Sequence, residues 1–92
     1  MCTNITIRTD VEGSAKGPQG WLAVDTAHVS FDHPFHAQLE HSLNIDFVNE
    51  RAGSVARVAV ELSASSARAL VENIVCALEL GEAEVGVAAA AG

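Results

Sequence analysis

The sequence has few aromatic, basic and proline residues. Among 92 residues there are one Trp, three Phe, two Pro and no Tyr, and five Lys and Arg face twelve Asp and Glu. The formal net charge is −7 with neutral histidines. A nucleic-acid backbone or an anionic membrane surface would be repelled overall, so we expect neither of them as a partner.

Cysteine and long apolar runs are also scarce. Cys2 and Cys76 are too few and too distant for a disulfide framework, which predicts free thiols in a reducing compartment. The amino terminus turns polar at once, and no apolar run approaches the roughly 20 residues of a membrane-spanning helix. We therefore expect a soluble, cytoplasmic protein.

What the chain does have is small aliphatic residues. Its 92 residues are 49% hydrophobic, enough for one core, and a domain of this size buries only about 60–65% of its unfolded surface. Association with a second copy would supply the missing burial, so we expect a dimer or a larger oligomer.

Four segments alternate apolar and polar residues with the two-residue period of half-buried strands: residues 3–13, 21–31, 41–47 and 57–62. Pro34 ends the second segment because it has no N–H for the sheet. GSAKGPQG (13–20) reads as a flexible turn or lid, and NERAGS (49–54) as a hairpin connection.

Helical spacing follows the fourth strand. Ser63 has the chemistry of an N-cap, apolar residues recur at helical positions between Ala67 and Leu78, and Gly81 is the expected end. The fold class is therefore α+β, a four-stranded antiparallel sheet followed by one C-terminal amphipathic helix (ββββα). Residues 1–82 form the single domain, and residues 83–92 read as a frayed or disordered tail.

The segment FDHPFHAQLEH (31–41) contains three of the four histidines. If the second and third strands form a hairpin, His33 and His41 lie at neighbouring strand ends with the parity of the apolar face, and they converge. His36 lies in the loop between them. We therefore take His33, His36 and His41 as candidate metal ligands.

Two nearby carboxylates complete this constellation. Asp32 and Glu40 are candidate catalytic groups, either as ligands or as acceptors for an imidazole N–H. Three protein ligands with an open position suit a divalent transition metal, zinc, iron or manganese, acting on water or on a carbonyl group.

Other interpretations of the same residues stay open. The His-x-x-His-x4-His spacing matches no sharply defined zinc motif. The histidines would also serve a metal-free pocket, or Asp32 and His33 would cap a strand while His36 faces water and His41 is partly buried.

Two further residues have competing interpretations. His28 has the parity of the opposite face and is expected to be an exposed strand residue. Trp21 is either a plug of the core or the aromatic wall of a ligand pocket.

The segments GSAKGPQGW, FDHPFHA, EHSLNIDFVN and RVAVELSASSARALVE together resemble a group of small uncharacterised bacterial proteins, a domain of unknown function. The resemblance covers roughly residues 1–80 and implies a single intact domain. It brings no activity with it, and no site residue is carried over.

Three classes of function follow. The first is a small oligomeric protein with a histidine-centred divalent-metal site that catalyses a water- or carbonyl-directed reaction on a small organic molecule. The second is a non-enzymatic module that binds a small ligand between sheet and helix. The third is a structural or interaction protein, without metal, whose sheet and helix build an oligomer.

Overall fold

The computed structural model describes residues 5–53 and 57–86, and these residues form four strands and one helix. The elements are β1 (Ile5–Gly17), β2 (Gly20–Asp32), β3 (Ser42–Val48), β4 (Arg57–Leu62) and α1 (Ala64–Val85). This order confirms the ββββα prediction. The expected start of the first strand at Thr3, the end of the 49–54 connection at Ser54, and residues 87–92 of the expected tail lie outside the described residues.

The strands form one antiparallel sheet in the order β1-β2-β3-β4. Alternation along each strand gives the sheet two different faces, because the pairing aligns residues of the same kind in rows across it. We call apolar face the residues Ile5, Ile7, Val29, Phe31, Leu43, Ile45, Val60 and Leu62. We call polar face the residues Thr6, Arg8, His28, Ser30, Asn44, Asp46, Ala59 and Glu61.

The 13–20 segment was expected to be a flexible turn or lid, but the turn is limited to Pro18 and Gln19 and the rest of the segment is β-strand, so the expected extent was wrong. Gly13 pairs with Val24, and pairing continues to Gly17 opposite Gly20, with a register shift between Asp10 and Gly13. The shift lets one strand run on through a glycine-rich stretch, as β-bulges do. Only Pro18 and Gln19 remain as the turn, and Gly20 follows with a φ of 109°.

Trp21 lies at the far end of this hairpin, and its interpretation as a core plug was wrong. Its side chain is 71% exposed. β3 pairs with β2 no further than Thr26, so the tip of β2 has β1 as its sheet neighbour in the described part of the chain. Trp21 instead lines an open cavity of about 510 Å³ beside Pro18 and Arg57.

The helix begins where the sequence predicts but ends later. The Ser63 hydroxyl accepts a hydrogen bond from the backbone N–H of Ser66 at 3.2 Å, which is the N-cap contact. The helix passes through Gly81, so Gly81 is not its end and residues 83–85 are helical rather than part of a frayed tail. Gly86 takes the left-handed conformation with a φ of 65° and caps the helix instead.

Burial is concentrated in the middle of the sheet. Among the described residues, the buried hydrophobic side chains are Val24, Ala27 and Val48, and the buried polar ones are Thr26 and Ser42. None of the 22 residues of α1, all of which the structure describes, is buried. The helix therefore stands off the apolar face instead of closing it. No helix in the described ranges is long and apolar enough to cross a membrane.

Candidate functional site

His33 and His41 come together at the loop-proximal ends of β2 and β3, as their parity predicts. Their ring centroids are 4.9 Å apart and the planes differ by 25°. The His41 ring also stacks on Phe31 of the apolar face, with centroids 5.7 Å apart. The backbone carbonyl of Glu40 accepts a hydrogen bond from Nδ1 of His33 at 3.0 Å, which leaves Nε2 as the free ring nitrogen of a neutral His33.

His36 is held elsewhere. Its backbone N–H donates to Oε1 of Glu61 at 3.0 Å, and the N–H groups of Phe35 and Ala37 donate to the same carboxylate at 2.5 Å and 2.8 Å. These bonds, chiefly from Ala37 and Phe35, hold the pKa of the Glu61 carboxyl below its ordinary value. Because Glu61 belongs to the polar face, the loop centre is tied to that side of the sheet, away from the stacked rings.

The two candidate catalytic carboxylates do not reach an imidazole within the described part of the chain. Oδ1 of Asp32 accepts a hydrogen bond from the backbone N–H of His33 at 2.7 Å, a local contact at the strand end. Glu40 contributes its backbone carbonyl rather than its side chain. The assignment of Asp32 and Glu40 as catalytic groups therefore stays a prediction.

The metal-ligand assignment of His33, His36 and His41 also stays a prediction. Across residues 5–53 and 57–86, no three or more His, Cys, Asp or Glu side chains lie where they would hold one metal ion. The two stacked imidazoles and the loop residue His36 therefore do not form a three-ligand set in the described residues.

A polar cluster on the other side of the sheet was missed from the sequence. Arg8 donates to Oδ1 of Asp10 at 2.7 Å and to Oε1 of Glu50 at 2.8 Å, and Nε2 of His28 lies 3.2 Å from the second Glu50 oxygen. The Arg8 hydrogen bond lowers the pKa of the Glu50 carboxyl, and Glu50 in turn raises the pKa of the Arg8 guanidinium. His28 is thus half-buried and in contact with the Glu50 carboxylate, rather than a simple exposed strand residue.

Asp25 joins this cluster to the β3–β4 connection. Its carboxylate accepts the backbone N–H of Glu50 at 2.8 Å, the N–H of Arg51 at 3.2 Å and the Thr26 hydroxyl at 2.8 Å. The Glu50 N–H contributes most to lowering the pKa of Asp25. The cluster borders a cavity of about 700 Å³, and each of its three carboxylates already accepts a hydrogen bond from within the chain.

A cleft between α1 and the sheet has mostly apolar walls. Its volume is about 500 Å³. It is lined by apolar residues of both elements with two charged residues, namely Val29, Leu43, Ile45, Leu62, Ala67, Arg68, Leu70, Val71, Glu72 and Ile74. Water-exposed apolar walls of this kind favour an apolar occupant.

Comparison with known proteins gives a family without an activity. The model of DUF6295, a family of unknown function, matches residues 1–88. No curated protein matches the chain, and no solved structure matches it.

Proposed function

The chain belongs to DUF6295, a family of unknown function, and we propose from its own geometry that it is an interaction module that acts as a homodimer. In this proposal the apolar face and α1 of two copies cover each other. The observation that carries this proposal is that no residue of α1 is buried. An amphipathic helix is normally stabilised by packing its apolar side against another surface, and a second copy would provide that surface.

Many of the apolar residues of α1 lie on one side of the helix. At about 100° per residue, seven positions share one side of the helix, and we call helix stripe the residues Ala67, Leu70, Val71, Ile74, Leu78, Gly81 and Val85. Ile74 is 50% exposed and Leu78 54% exposed, and Ile7 of the apolar face is 60% exposed. A stripe and a sheet face of this size are typical of surfaces buried by association.

The size of the whole chain supports the same proposal. It exposes 7007 Å², whereas a compact protein of its mass exposes about 5,100 Å². Its radius of gyration is 15.3 Å, against about 12 Å for a compact domain of this length. The excess over the whole chain is about 1,900 Å², and a standard interface removes roughly 800 Å² from each partner.

A small apolar ligand in the cleft is the second candidate. The cleft of about 500 Å³ falls within the range of about 300–1,000 Å³ for small-molecule pockets. However, a ligand there would cover the first half of the helix stripe and leave Leu78 and Val85 in water. A second copy covers both halves, so it accounts for more of the exposed surface.

A metal-dependent, water- or carbonyl-directed reaction at the histidines stays a prediction of the sequence. Elemental analysis of untagged protein tests this prediction, because it reports bound zinc, iron or manganese directly.

Two leucines of α1 provide a matched test of the dimer. Leu78 lies on the helix stripe and Leu80 lies on the opposite side, and both are more than half exposed, at 54% and 68%. Leu78→Glu should convert a dimer into a monomer at micromolar concentration, because it places a carboxylate in an apolar interface. Leu80→Glu makes the same chemical change outside the interface and should stay dimeric.

Sedimentation equilibrium or light scattering measures the mass of both variants beside the wild-type chain. A wild-type chain that is monomeric throughout the micromolar range contradicts the proposal. So does a Leu78→Glu variant that keeps the wild-type mass.

A further inference from the structure

The charges of α1 oppose its own dipole. A helix is stabilised by acidic residues in its first turn and by basic residues in its last turn. α1 has no acidic residue in its first turn and no basic residue in its last turn. Its one basic residue, Arg68, lies near the beginning, whereas Glu79, Glu82 and Glu84 lie near the end.

The helix is also longer than β3 and β4, the two strands that precede it in the chain. Its 22 residues span about 33 Å, and the six or seven residues of β4 and β3 span about 20–23 Å. The cleft is lined by α1 from Ala67 to Ile74 and by none of its later described residues. The second half of the helix stripe, which includes Leu78 and Val85, therefore extends past the surface that the first half faces.

We infer that the second half of α1 from another copy of this chain occupies the cleft, antiparallel to the first half of α1. This inference rests on the proposed dimer and specifies its arrangement. The cleft supplies an apolar wall for Leu78 and Val85 of the incoming helix, and the two-fold relation makes the exchange reciprocal. Two antiparallel helices then lie between two sheets.

Charge complementarity selects the antiparallel direction. Arg68 and Glu82 lie on the same flank of the helix stripe at about 100° per residue, and antiparallel helices bring equivalent flanks together. Arg68 of one copy thus meets Glu82 of the other, twice in the dimer. Each acidic helix end also lies beside the positive, N-terminal end of the partner helix. A parallel arrangement would instead bring opposite flanks together and would leave Arg68 away from Glu82 of the partner copy.

A charge exchange between two variants tests this arrangement. Arg68→Glu should weaken the homodimer roughly tenfold, and so should Glu82→Arg, because each change puts like charges at both symmetric contacts. Mixing the two variants should restore wild-type affinity, since the introduced glutamate of one chain then meets the introduced arginine of the other and the remaining pair is native. Lys16→Glu and Glu12→Arg, both on exposed strand residues, are controls for net charge and should leave the affinity unchanged.

The dissociation constants are measured by sedimentation at fixed ionic strength, after circular dichroism has shown that each variant keeps the helix. Recovery on mixing, with unchanged controls, supports the antiparallel arrangement. A wild-type dimer in which neither exchange weakens association, or which Arg68→Glu strengthens, overturns this arrangement but not the dimer. A wild-type chain that stays monomeric, including one that binds an apolar dye in the cleft with unit stoichiometry, overturns both proposals.

Discussion

On the polar face, side chains from distant parts of one chain pair with each other: Arg8 with Glu50, His28 with Glu50, and the Glu61 carboxylate with three loop N–H groups. On the apolar face, the same strands present Ile5, Val29 and Ile45 to a helix that does not close over them. Within the described ranges, no buried side-chain nitrogen or oxygen lacks a hydrogen-bond partner.

This difference between the two faces shows that a single chain meets its need for hydrogen bonds more easily than its need for apolar burial. Hydrogen bonds and ion pairs need only two or three groups in the right place, and a sheet with two connecting loops supplies them. Apolar burial needs area, and 92 residues have little of it to spare. The hydrogen bonds of the polar face are therefore made within one copy, and the proposed dimer would supply the burial that the apolar face lacks.

The largest effect is expected from a charge on the apolar face. Ile45 lies in the central row of that face, between Val29 and Val60. Ile45→Asp should lower the free energy of unfolding by about 3 kcal/mol or more, because it removes an apolar contact and places a carboxylate against apolar neighbours. Urea denaturation followed by circular dichroism measures the change.

Ser30→Asp is the matched control for this substitution. Ser30 lies on the adjacent strand and on the polar face, with Thr6 and Asn44 as its sheet neighbours. Its change should be within about 0.5 kcal/mol, as for other surface substitutions. Equal destabilisation by the two aspartates would mean that the faces do not differ.

A middle-sized effect is expected at Ser63, where the chain leaves the sheet for the helix. Ser63→Ala removes the oxygen that accepts the Ser66 N–H, and N-cap losses of this kind cost about 1 kcal/mol. Thermal unfolding should show a lower melting temperature with no loss of sheet signal. Ser65→Ala, two residues later, leaves the cap oxygen in place, and a loss as large as that of Ser63→Ala would exclude capping as the cause.

The smallest global effect is expected on the polar face itself. Glu61→Gln replaces a charged acceptor of three N–H groups with a neutral one, so the amides of Phe35 and Ala37 should exchange faster with solvent. Hydrogen exchange measured by NMR detects this change, and Asp46→Asn on the neighbouring strand is its control. Unchanged protection of these amides would show that the carboxylate does not order the loop.

The same contact has a predictable pH dependence. The pKa of Glu61 is lower in the folded chain than its ordinary value. Its contribution to stability is therefore present above the ordinary carboxyl pKa and is lost as the pH falls through the lowered value. In the wild-type chain the loop amides should lose protection on acidification, and Glu61→Gln should remove that part of the pH dependence.

The parts of the fold that were predictable are those in which local pattern and packing agree. β3 and β4 alternate strictly because each has one apolar side, and Ser63 has a capping side chain at a real helix start. The prediction of a turn over the whole GSAKGPQG segment was wrong because it was based on the glycine and proline content. Pairing of residues 13–17 with residues 20–24 of β2 overrides that local preference. The prediction that the helix ends at Gly81 was wrong because a helix tolerates an interior glycine at a cost of about 1 kcal/mol.

The site was less predictable because its contacts are non-local. The strand parity correctly predicted that His33 and His41 come together, because His33 directly follows β2 and His41 directly precedes β3. Glu50 contacts Arg8 and His28 only because of the way the β3–β4 connection folds. A turn has no repeating sequence pattern from which those contacts could be predicted. Glu61 has the parity of the polar face, but nothing in its strand indicates that a loop 24 residues earlier will bind to it.

The Glu61 contact also sets an order of events during synthesis. The β2–β3 loop leaves the ribosome well before its anchor, because Phe35 and Glu61 are separated by 26 residues. Until β4 has joined the sheet, the backbone N–H groups of Phe35, His36 and Ala37 lack the carboxylate that accepts them in the folded chain. Anchoring of residues 35–37 is therefore a record that the last strand is in place, and a ribosome stalled within β4 would hold a nascent chain in which this part of the loop is not yet anchored.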